Sequence, residues 1–179
     1  MRLLTVTHAL QHPRLKLCRV LICIASGTSC SLLPQLSLAA GGTFEAVFST
    51  VNNLHQIDRG EGNSILGGTS IGTFVIPKGS GEPFTEGSFG QAECIPLVKK
   101  GPNSIDVESH CTFTSSPDDK LFGFFKRKSG DIAAGTGGQG RLELQGGTGK
   151  YKGISGSCPY KTNYMQTTVV TFAHCEWNR

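Results

Sequence analysis

The strongest constraint in this chain is what its later part lacks. After Ala40 no segment repeats its apolar residues with a helical period of 3.6 over a helical length. Short alternating runs recur instead, broken by Gly, Asn, Asp and Pro. Thr43 to Val51 places Phe44, Ala46 and Phe48 on one face. Ser64 to Ile76 is a glycine-rich run that stops before Pro77, and Gly87 to Val98 carries Cys94. The cleanest amphipathic run sets Ile105, Val107, Ser109, Cys111 and Phe113 against Asp106, Glu108, His110 and Thr112. Leu121 to Arg127, Arg141 to Gln145, Ile154 to Thr162 and Gln166 to Trp177 complete the set. About eight strands in about 140 residues is the spacing of an all-β antiparallel barrel or sandwich. A barrel is preferred because closure removes exposed edges. Glycines inside strands suit the bulged, coiled strands of a small barrel.

The first 39 residues read differently. They hold Arg2, Arg14, Lys16 and Arg19 and no acidic residue. An apolar stretch from Leu17 to Ile24 follows, and Ser37-Leu38-Ala39-Ala40 offers small residues for a cut after Ala39. A basic start, an apolar middle and a small-residue end make a secretory signal peptide. The stretch is too short and too interrupted for a stable membrane span of about 20 residues. Cys30 follows Gly27-Thr28-Ser29, without the aliphatic residue of a lipid-attachment box. The expected organisation is therefore a leader over 1–39 and a single barrel over 40–179. The expected location is exported, either periplasmic or extracellular.

That division decides what the charge means. The chain has 17 Lys and Arg against 13 Asp and Glu, a net charge of +4. The four basic residues of the leader account for the whole excess, so the remainder is formally neutral. A non-specific role on nucleic acid or another polyanion loses its support. Lys126-Arg127-Lys128 survives as a basic cluster and reads as a solvated strand end.

Cys94, Cys111, Cys158 and Cys175 form an even set in an exported domain, which implies two disulfides. Four cysteines allow three pairings. Each of two pairs is separated by 17 positions, symmetrically about a turn: near Pro102-Asn103 for the first and near Gln166 for the second. Facing cysteines on adjacent strands fall within disulfide reach, so Cys94–Cys111 and Cys158–Cys175 are favoured. No Cys-x-x-Cys and no Cys/His spacing of a zinc site occurs, and no metal or cofactor is expected.

Two glycine patterns mislead. Gly135-Thr136-Gly137-Gly138-Gln139-Gly140 matches the dinucleotide fingerprint, but the short alternating Arg141-Leu142-Glu143-Leu144-Gln145 follows where a helix is required. A flexible inter-strand loop is the better reading. Gly149-Lys150 lacks the upstream glycine and the following hydroxyl of a phosphate loop.

A third pattern is more telling. Gly146-Gly147-Thr148-Gly149-Lys150-Tyr151-Lys152-Gly153-Ile154-Ser155-Gly156 resembles the Gly-Gly-Thr-Gly-x-aromatic-x-Gly-Ile-x-Gly segment of the allene oxide cyclase-like and dirigent-like β-barrel group. This group includes many small exported bacterial proteins of unassigned function. The resemblance implies an eight-stranded antiparallel barrel in which this segment joins late strands. It covers these 11 residues sharply and the rest only through strand count and order. None of the group's active-site residues maps onto it. Its glycines permit a tight connection with positive φ, while Tyr151 and Ile154 would plug the barrel end.

Candidates for chemistry are few. His55, Asp58, Arg59 and Glu61 lie within seven positions and have the functional groups of an acid/base pair or an anion clamp. The same composition also suits a solvated loop or strand face. His110 and His174 each precede a cysteine, with Glu108 and Glu176 two residues away, and outward polar positions explain both. Trp177, Tyr160 and Tyr164 would line the barrel interior or seal its end. Two functional readings follow. One is a barrel that binds a small apolar or aromatic molecule, or serves as a non-catalytic module, with oligomerisation open. The other is a cyclase- or isomerase-like enzyme acting on a lipophilic substrate inside the barrel.

Overall fold

In the computed structural model, residues 40–127, 137–165 and 167–179 are described. The expected leader, Gln166 and residues 128–136 lie outside them. The described residues form eight strands: β1 (Gly41–Asp58), β2 (Ser64–Gly79), β3 (Phe89–Gly101), β4 (Ser104–Thr114), β5 (Lys120–Arg127), β6 (Gly137–Gly147), β7 (Ser155–Met165) and β8 (Thr168–Asn178). Each pairs antiparallel with the next, and β8 pairs with β1, so the sheet closes into a barrel. The expected all-β barrel is the observed architecture. No helix among the described residues is long and apolar enough to cross a membrane.

Alternation fixes which side chains face inward. On β1 the buried series is Phe44, Ala46, Phe48 and Thr50. On β4 it ends in Ser109, Cys111 and Phe113, as the sequence pattern requires. Large inward residues gather at one end. There Phe84, from the loop between β2 and β3, stacks on Phe44 with ring centroids 3.8 Å apart and an 8° interplanar angle. Tyr151 and Trp177 pack on Phe84 at 5.5 and 5.6 Å. Leu121, Leu144, Ile76 and Ile154 fill the remaining space. Burying each of these large side chains contributes about 1.5–3 kcal/mol.

The glycine-rich segment builds this sealed end. It joins β6 to β7 through one 3-10 turn, Gly149–Tyr151. Gly149 and Gly153 have φ of +52° and +75°, so the chain reverses where a Cβ would be strained. The reversal drops Tyr151 and Ile154 into the barrel, each 2% exposed. Thr148 stitches the turn to the β4–β5 connection: its Oγ1 accepts from the Lys120 N–H at 3.1 Å and donates to the Asp118 carbonyl at 2.6 Å. Asp119 completes the junction. Its carboxylate accepts from the Lys150 N–H at 2.9 Å and from the Ser116 hydroxyl at 3.0 Å.

Both disulfides form as the spacing suggests. Cys94–Cys111 links β3 to β4 and Cys158–Cys175 links β7 to β8, with Cα separations of 4.1 and 4.0 Å. Cys94 and Cys111 are register partners, because Pro102 and Asn103 form the tip of a two-residue hairpin between Gly101 and Ser104. All four cysteines are buried and face the barrel interior.

Two measurements follow from this arrangement. Each disulfide closes a loop of 17 residues, so replacing either pair by alanine should lower unfolding stability by about 3 kcal/mol. Denaturant titration checks the value, and equal stability of both double variants and wild type would contradict it. The Lys150 backbone N–H and the Ser116 hydroxyl hold the Asp119 carboxyl below its ordinary range. A lowered folded-state value means stabilisation that is complete above about pH 4 and lost as pH falls through the lower value. Asp119→Asn should therefore flatten the acid limb of the stability curve, read by thermal melts between about pH 2 and pH 5.

Candidate functional site

The inward side chains become smaller toward the other end of the barrel. Phe48, Phe113, Phe125 and Tyr160 form an aromatic floor. Phe48 lies 5.0 Å from Phe113, and Phe125 meets Phe48 and Tyr160 edge-on at 5.6 and 5.2 Å. Beyond this floor the inward positions turn to small and hydroxyl-bearing residues. Thr50 accepts a hydrogen bond from Ser70 at 2.9 Å, and Thr162 and Thr171 share one at 2.8 Å. Each pair satisfies its buried hydroxyls across neighbouring strands while occupying little volume. A cavity of about 370 Å³ remains above the aromatic floor. Its upper wall is made by Leu54, Leu66, Val98, Ile105, Val107 and Val169, together with polar Asn52 and Lys100.

One charged group is built into this wall. Arg127, the last residue of β5, is only 4% exposed. Its Nη1 donates to the Tyr164 hydroxyl at 3.4 Å, and its guanidinium carbon sits 5.9 Å from the Tyr164 ring centroid. Its Nε has no hydrogen-bond partner among the described residues. The expectation of a solvated strand end is corrected here. Strand alternation sends Arg127 inward together with Leu121 and Phe125, and the facing strand makes room for it. A Cβ at Gly138 would lie 2.0 Å from Arg127 Nη1, and one at Gly140 would lie 2.4 Å from the Tyr160 hydroxyl.

The second correction follows from the same contacts. Gly137 to Gly140 are not an inter-strand loop but the first residues of β6, paired with Asn163 to Tyr160 of β7. The missing side chains of Gly138 and Gly140 are the space that Arg127 and Tyr160 occupy. Gly135 and Thr136 lie outside the described residues.

The cluster singled out from sequence lies elsewhere. His55 and Asp58 are exposed at the end of β1, and Arg59 and Glu61 are exposed in the turn that follows. Asp58 accepts from the Gly60 N–H at 2.9 Å, a turn contact. None of the four lines the cavity. His110 is exposed against the Phe124 ring at 4.7 Å, and His174 lies 3.7 Å from Glu45. Their strands, β4 and β8, are not neighbours, so they form no joint site. Tyr160 and Tyr164 line the cavity, whereas Trp177 belongs to the sealed end. Among the described residues, no group of three or more His, Cys, Asp or Glu could hold a metal ion.

The two β6 glycines differ in what they clear. A Cβ at Gly138 meets the far end of the Arg127 side chain, while one at Gly140 also lies 2.6 Å from the Lys126 carbonyl, which is backbone. Gly140→Ala should cost about 1–3 kcal/mol by overpacking. Gly138→Ala should cost less, because Arg127 can swing into the cavity. Equal losses in denaturant titrations would contradict this assignment.

No known family model matches the chain, and a search of curated proteins finds no similar one.

Proposed function

We propose that this protein is an exported, disulfide-bonded barrel that binds one small, largely apolar molecule in the open half of its interior. The observation that carries this reading is the division of the barrel: one end is sealed by stacked aromatics, and the other keeps a cavity of about 370 Å³ over an aromatic floor. That volume lies within the range of small-molecule sites, which are concave, mostly apolar and marked by a few placed polar groups. Eight strands are also the number at which a barrel is wide enough to hold one small ligand.

Export is supported by the leader-like residues 1–39 and by the two disulfides, which persist in oxidising compartments. The closed eight-stranded barrel agrees with what the resemblance of Gly146 to Gly156 to the allene oxide cyclase-like and dirigent-like group implies for fold. A cyclase- or isomerase-like activity on a lipophilic substrate would use a general acid or base facing the ligand. The histidines and carboxylates among the described residues lie outside the cavity lining, and of its Tyr160, Tyr164 and Lys100 the structure pairs Tyr164 with Arg127, so we favour binding.

Fluorescence titration with N-phenyl-1-naphthylamine, a neutral apolar probe, tests the reading. The oxidised wild type should enhance and saturate its emission. Ser109→Trp, which places a large side chain in the cavity, should weaken binding at least about tenfold. Undiminished binding by a folded Ser109→Trp protein would put the probe somewhere other than the barrel interior.

A further inference from the structure

The cavity wall is not neutral. Arg127 and Lys100 are its charged residues, and no Asp or Glu is among the described residues that line it. Arg127 is the decisive one. A guanidinium does not lose its proton at accessible pH, so it stays cationic in the wall. Removing such a group from water costs several kcal/mol unless an anion or a full set of acceptors compensates. Here the compensation is thin. A phenol hydroxyl accepts from Nη1, one ring lies nearby, and Nε is unpartnered among the described residues. The Lys78–Glu45 ion pair, with the His174 ring 3.7 Å from the same carboxylate, lies on the outer surface, away from Arg127.

A cation held in an apolar, half-enclosed space attracts an anion more strongly than the same cation in water, because the local dielectric is low. Its planar fork matches the oxygens of a carboxylate or sulfonate. The floor opposite is a cluster of edge-to-face aromatic rings, which favours a flat aromatic body.

We infer that the ligand is an amphipathic monoanion, with a compact aromatic or apolar body on the Phe48–Phe113–Phe125–Tyr160 floor and its anionic head at Arg127. This rests on the binding reading above and narrows its ligand class. Gly138 has a specific part in it: its missing side chain leaves the guanidinium a place in the wall. Tyr164 steadies the guanidinium from β7, across the glycines of β6.

A matched pair of probes tests the inference without any variant. Calorimetric titration of the oxidised wild type with 2-naphthoate and with 2-naphthamide compares one aromatic body carrying a charged or a neutral head. The expected result is at least about tenfold tighter binding of 2-naphthoate, the difference made by one charge-assisted contact. Arg127→Gln should bring the two affinities together by weakening 2-naphthoate alone, and Arg127→Lys should restore part of the preference. Equal affinities in wild type would overturn the anionic head while leaving the cavity as a site for apolar molecules. Failure to bind either probe would overturn both. A preference that survives in folded Arg127→Gln would move the anion to another group, Lys100 first, and would also count against Arg127.

Discussion

Everything in this molecule depends on closing eight strands into one cylinder. Closure gives the interior a fixed width, and strand alternation then delivers every second side chain into it. The volume of those inward residues decides whether each level is solid or hollow. At the level of Phe44 the interior is filled, and the Phe84 ring lies stacked at 3.8 Å. At the level of Thr50 and Ser70 the same width is lined by small side chains joined by a 2.9 Å hydrogen bond. The cavity is thus set by a gradient of side-chain size along strands that are otherwise alike.

The cross-links sit at two levels of this gradient: Cys175 is the register partner of Phe44 at the filled end, and Cys94 lies in the cavity wall. A disulfide facing inward occupies modest volume and ties neighbouring strands at Cα separations near 4 Å. The Cys94–Cys111 link lies at the boundary, with Cys94 in the cavity wall. The barrel cannot fill its open half with apolar side chains without losing the cavity. The Cys94–Cys111 link restricts the unfolded chain and supplies stability there with little use of that volume. Buried hydroxyl pairs do the same at smaller scale, being short and mutually satisfied.

Most of the fold was legible in the sequence, because its signals are local. Alternation from Ile105 to Phe113 shows which residues turn inward, and the Pro102-Asn103 turn fixes the register that brings Cys94 to Cys111. The Gly146 to Gly156 segment marks the connection that places Tyr151 and Ile154 in the sealed end. The site was less legible, because it depends on contacts across strands. Taken alone, the run Lys126-Arg127-Lys128 does not distinguish its middle residue as buried. Only the pairing of β5 with β6 sets Gly138 beside it. Conversely, His55, Asp58, Arg59 and Glu61 look functional because they are close in sequence, yet the long β1–β2 hairpin carries them into solvent. One usable signal was present: Arg127 lies two residues from Phe125 and six from Leu121, in phase with the inward face of β5.

Arg127 also shows how function and stability are set against each other here. A neutral residue of similar size would pack that wall without the desolvation cost of a charge, and buried charges exchanged for apolar groups often leave a protein more stable. The barrel instead keeps the cation and removes two side chains from the facing strand, at Gly138 and Gly140, so that it and Tyr160 fit. Glycine in a strand interior weakens the strand, so the arrangement is unfavourable on both strands when the cavity is considered alone. On the reading proposed above, an anion entering the cavity reverses the balance, because the guanidinium then gains a partner that the described residues of the wall do not give its Nε. On that reading, the stability given up at Arg127, Gly138 and Gly140 is exchanged for selectivity between charged and neutral ligands.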